Sequence, residues 1–133
     1  MQKTFKRAMH SLDEVFDFIG EFMKAHAVDQ SASYSINLAV EELFTNMVKY
    51  NPGNANDISI TIQKNKDDLK VTLVDTEVEP FDVANTAEVD VTKSLEERKA
   101  GGLGIHLIKK MVDRLEYEHN NRQSRITLIK HLE

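Results

Sequence analysis

Apolar positions recur along the chain with two different periods, and the switches between them mark out the elements. Leu12, Val15, Phe16, Ile19, Phe22 and Met23 fall at helical spacing, which predicts an amphipathic helix running to about Ala27. Ser11 stands at its start with Glu14 three residues on, the pattern of a capping box. A second helix begins near Asp29 or Ser31, with a stripe of Ile36, Val40, Leu43 and Met47 that Ala39 and Phe44 widen. Asn51-Pro52-Gly53-Asn54 ends it, because proline has no amide hydrogen to donate and glycine favours a turn.

The period then drops to two. Ile58, Ile60 and Ile62 alternate with Ser59, Thr61 and Gln63, and after a polar turn at 65–68 the same alternation runs over 69–74. Residues 2–8 suit a short edge strand. From 76 to 100 the chain is acidic and aperiodic, a loop long enough to be functional. Beyond Gly101-Gly102-Leu103-Gly104, a third helix places Ile105, Ile108, Met111, Val112 and Leu115 on one face. Strands at 116–119 and 125–131 close the chain. The order βααββ, loop, αββ predicts an α+β fold: a two-layer α/β sandwich, helices on one face of a mixed, mostly antiparallel sheet.

The chain of 133 residues suits one domain spanning 1–133. With 17 basic and 22 acidic residues its formal charge is −5, which argues against general binding to nucleic acid or an anionic membrane. Cysteine is absent, so thiolate metal sites and thiol nucleophiles are excluded. No apolar stretch approaches the roughly 20 residues of a bilayer crossing. A cytoplasmic protein is the expectation.

Three features carry candidate chemistry. Of 5 glycines, 3 lie at 101–104, directly before a helix. They permit close backbone approach to a ligand, and the helix start favours phosphate; a flexible loop gives the same cluster. Glu42 and Asn46 lie four apart on the second helix and share a face beside its apolar stripe. An amide oxygen suits Mg²⁺ and a carboxylate can take a proton, although a solvated helix face has the same spacing. Lys49, a turn further on, can meet a phosphate or water. Asp75 ends a strand, where it can accept a hydrogen bond from an exocyclic amine or simply open a turn. No GxxxxGK[ST], HExxH or GxSxG occurs, which excludes a P-loop, a zincin site and a nucleophile elbow.

In their order and spacing these features resemble the ATP-binding domain shared by DNA gyrase, Hsp90, histidine kinases and MutL, the Bergerat fold. Within that group the chain is similar to the small bacterial anti-sigma factors that are serine/threonine kinases. The matching stretches are residues 38–46, Val74-Asp75 with Pro80-Phe81-Asp82, and residues 101–108. The resemblance implies ATP and Mg²⁺ as cofactors, Asn46 as a Mg²⁺ ligand and Glu42 as the catalytic base. It implies Asp75 on the adenine amine, Gly102 and Gly104 bending an ATP lid over about 76–104, and Ser124 keeping the hydroxyl of a Gly-Thr pair. Glu77 departs from the pattern, standing where the second motif carries glycine.

The implied partners are an anti-anti-sigma protein as substrate and a sigma factor. A homodimer fits if the short first strand exposes Phe5. Two alternatives stay open: a partner-switching module of the same fold with weak or absent nucleotide binding, and the detached ATP-binding domain of a histidine kinase.

Overall fold

The computed structural model describes residues 1–50, 56–76 and 108–132. It builds the alternating segments into β1 (Gln2–Phe5), β2 (Ile58–Lys64), β3 (Asp68–Thr76), β4 (Arg114–Asn120) and β5 (Gln123–His131). The helices are α1 (Leu12–Ala25) and α2 (Gln30–Tyr50), with a short 3-10 turn at Met9–Ser11 and helical residues at 108–111.

Because successive strand residues point to opposite faces, register decides which residues meet. Ile60 pairs with Leu73 and Leu73 with Ile126, while Ile62 pairs with Val71 and Val71 with Leu128. These residues make one apolar face, and the opposite face carries Ser59, Thr61, Lys70, Arg125 and Glu116. The strand order is β1-β2-β3-β5-β4, and every described pairing is antiparallel. Val15, Phe18, Ile19, Phe22 and Met23 of α1, with Ile36, Val40, Leu43, Phe44 and Met47 of α2, join the strand residues in one buried core. The two-layer α+β sandwich expected from the pattern is what forms. Each of these large side chains contributes roughly 1.5–3 kcal/mol on leaving water.

Four local expectations are corrected. Phe5 is 1% exposed, with its ring edge-on to Phe18 at 5.6 Å and to Phe44 at 6.5 Å. It offers no apolar dimer patch, because pairing of β1 with β2 seats it under both helices. Phe18, absent from the predicted stripe, is therefore buried, and Phe16 is only half-buried. The capping box at Ser11 does not form: the preceding 3-10 turn already holds Ser11 in helical geometry (φ −75°, ψ −11°), whereas a side-chain cap needs an extended residue. Leu115 belongs to β4, not to the third helix. The Asp113 amide donates to the Ile129 carbonyl at 2.9 Å, which diverts the chain into the sheet.

The junction between the helices follows local chemistry. Val28 N–H bonds back to the Met23 carbonyl with Ala27 at φ 52°, a Schellman ending with alanine where glycine is usual. Asp29 then caps α2 by accepting from the Ala32 amide at 2.8 Å.

Candidate functional site

The apolar face turns polar at one end. Asp75, the next inward-facing residue of β3 after Leu73, pairs with Ser124 of β5, and Ser124 pairs with His119 of β4. Register thus sets a carboxylate, a hydroxyl and an imidazole in one row across three strands. Asp75 is 1% exposed and Ser124 fully buried. The Tyr117 hydroxyl lies 3.5 Å from Ser124 Oγ.

Helix α2 brings the other group. Asn46 is buried among the apolar residues of its stripe, and neither its Oδ1 nor its Nδ2 has a hydrogen-bond partner among the described residues. Leaving such a group unpaired costs about 1–3 kcal/mol, so the side chain is suited to an incoming ligand. Its amide oxygen is a hard donor appropriate to Mg²⁺, and on this observation the site fits a Mg²⁺-bound phosphate. Glu42, one turn earlier, is half-buried, and Lys49 is exposed. Gly102, Gly104 and Glu77 lie outside the described residues.

Asp75 differs from Asn46 in being fully engaged. Arg7, two residues beyond β1, pairs with it through both terminal nitrogens: Nη2 reaches Oδ1, and Nη1 donates to Oδ2 at 3.3 Å. Nη1 also donates to the Met47 carbonyl at 2.8 Å, and Nε to the Asn56 carbonyl at 3.3 Å. The Arg7 side chain is 3% exposed, and burial lowers its pKa from the ordinary value. One guanidinium therefore joins β1, the end of α2, the start of β2 and the end of β3. Arg7 and Tyr117 are the site residues that sequence reasoning missed. Neither stands in a motif, and only the pairing of strands brings them to Asp75 and Ser124.

A buried amide on a helix and a buried carboxylate at a strand end are thus set in a two-layer α/β sandwich, linked by Arg7 through the Met47 carbonyl and Asp75. The chain belongs to the histidine kinase-like ATPase domain family, which it matches over residues 5–130. Among solved structures it is similar to a chain of the SiaB–SiaC complex from Pseudomonas aeruginosa. That match has a TM-score of 0.68 at 12% identity and covers 99% of this chain and 88% of the other. It is also similar to the RsbU and RsbW domains of Rv1364c from Mycobacterium tuberculosis. Here the TM-score is 0.67 at 14% identity, and the match covers 99% of this chain but only 32% of that one. At such identities these likenesses establish the fold. No curated protein matches the sequence. Among the described residues no helix is long and apolar enough to cross a membrane.

Proposed function

We propose that this chain is an ATP-dependent serine/threonine protein kinase acting as an anti-sigma regulatory factor, with an anti-anti-sigma protein as its substrate. The observation that carries the reading is the buried amide of Asn46, without a hydrogen-bond partner among the described residues and one helical turn from Glu42, in a member of an ATPase family. When bound, ATP with Mg²⁺ supplies the phosphoryl group and the positive charge that offsets its oxygens. Asn46 holds the metal and Lys49 meets a phosphate. Glu42, half-buried, accepts the proton of the substrate hydroxyl. Asp75 takes the adenine amine, and Ser124, opposite it on the neighbouring strand, supports the adenine pocket. Residues 76–104, with Gly102 and Gly104, act as the lid that excludes water.

Phosphoryl transfer of this kind rests on positioning and charge rather than on covalent chemistry by the protein. A sigma factor is the second partner, and the cytoplasm the place of action. Each structural relative named above is described together with a second component, which agrees with a partner-binding role.

Transfer of labelled phosphate from MgATP to the partner protein tests the reading. Glu42→Ala should lower transfer by about 10²-fold or more while MgATP still binds. Asn46→Ala should weaken binding itself. Undiminished transfer by Glu42→Ala, or no binding of MgATP by wild type at millimolar concentration, refutes it. The Arg7–Asp75 pair favours a second reading, a partner-switching module with weak nucleotide binding. That module would bind its partner without transferring phosphate.

A further inference from the structure

Arg7 makes more bonds than a strand-end arginine needs, and two of them fall on the one buried carboxylate of the polar row. The proposed function gives that carboxylate to a nucleobase, and the present inference rests on that reading. A base amine approaching Asp75 meets the oxygens already facing Nη1 and Nη2. Guanidinium and amine want the same acceptor, and Arg7 and Asp75 are both buried from water that could substitute.

We infer that Arg7 is the specificity-determining residue of this site: its guanidinium competes with the exocyclic amine of a purine nucleotide for Asp75. Arg7 thereby weakens nucleotide binding and blunts the preference for an amine-bearing base.

The remaining bonds of Arg7 make the exchange feasible. Its contacts to the Met47 and Asn56 carbonyls do not involve Asp75, so the guanidinium can release the carboxylate and stay anchored. One of these anchors is on Met47, next to Asn46. The same contacts tie the exchange to β1, since Arg7 follows Phe5 by two residues and Phe5 is locked between α1 and α2. Seating of the edge strand on β2 thus sets how firmly Arg7 is held against Asp75.

A clip with no role in specificity behaves differently when it is cut. Removing it would leave Asp75 as an uncompensated buried charge and destabilise the fold, and nucleotide binding would fall or stay the same. Competition predicts the opposite for binding: a carboxylate with no internal partner gains most from a base amine, because a hydrogen bond to a charged group is among the stronger ones.

The test is calorimetric titration of MgATP, and of the magnesium salt of purine riboside triphosphate, which lacks the exocyclic amine. The proteins are wild type, Arg7→Gln and the double variant Arg7→Gln with Asp75→Asn. Arg7→Gln should bind ATP on the order of tenfold more tightly than wild type. It should show no such gain for the analogue, and the gain should vanish in the double variant. Equal ATP binding by wild type and Arg7→Gln overturns the inference and leaves the nucleotide reading standing, as does an equal gain for both nucleotides. If neither protein binds either nucleotide at millimolar concentration, the nucleotide reading fails and the inference fails with it.

Should Arg7→Gln not fold, the wild type decides. In isotope-labelled protein the Arg7 side-chain N–H signals should shift and lose exchange protection on saturation with MgATP. Unmoved signals in the ATP-bound protein overturn the inference.

Discussion

Asn46 is held at a cost. A leucine of nearly the same shape would lose no hydrogen bond among the described residues and would relieve two buried polar atoms. Asn46→Leu should therefore raise stability by about 1–3 kcal/mol, read as a higher denaturant midpoint, while MgATP binding is lost. Such opposed effects mark a residue retained for function rather than for folding. An unchanged or lower midpoint would show the amide to be satisfied in solution. At this scale the sequence singled out only the candidates whose setting is local. Glu42, Asn46 and Asp75 stood out by spacing, because a helix face and a strand end are local facts. Arg7 did not, since nothing near it in the chain announces a carboxylate 68 positions away.

Among the elements, period gave the strands and helices, and pairing set their ends. The β4–β5 hairpin turns through Asn121 and Arg122 with φ of 52° and 61°, the left-handed pair that a two-residue turn between twisted strands requires. No turn glycine advertises it. The β3–β5 pair ends at Asp68 and His131, whose side chains are hydrogen-bonded. That bond to Asp68 is the largest of the influences that raise the His131 pKa above its ordinary value. A raised folded-state pKa means that the contribution to stability is complete below the ordinary value of about 6.5 and is lost as pH rises through the higher one. His131→Gln should accordingly melt below wild type at mildly acid pH, with the gap closing as the pH rises past the raised value. A gap that is constant across the range would show packing, not charge, to be the cause. Both side chains are at least partly in water, so the gap at acid pH is small.

For the molecule as a whole, Phe5 is the buried residue of its strand. Its ring meets Phe18 of α1 and Phe44 of α2, and β1 has only four residues with which to hold the sheet edge. Phe5→Ala should cost about 3–5 kcal/mol, a large share of the roughly 5–15 kcal/mol typical of a domain. Phe5→Leu should cost clearly less, both read by urea unfolding. If the alanine variant unfolds at the wild-type midpoint, the three-ring contact does not support the layers as described. Because Arg7 follows two residues later, the same loss loosens its hold on Asp75.

The amino-acid order by itself determined which segments are helix and which strand, and most of their apolar faces, since the periods of 3.6 and 2 are properties of neighbouring residues and of water. It also determined the acidic charge and the helix-borne Glu42 and Asn46. The tertiary structure decided what those faces touch: Phe5 under the helices, Leu115 in a strand, Ser124 beside Asp75, and Arg7 upon that carboxylate. Contacts between segments distant in the chain depend on strand register and layer packing. These are set by the whole core at once, and no local pattern carries them.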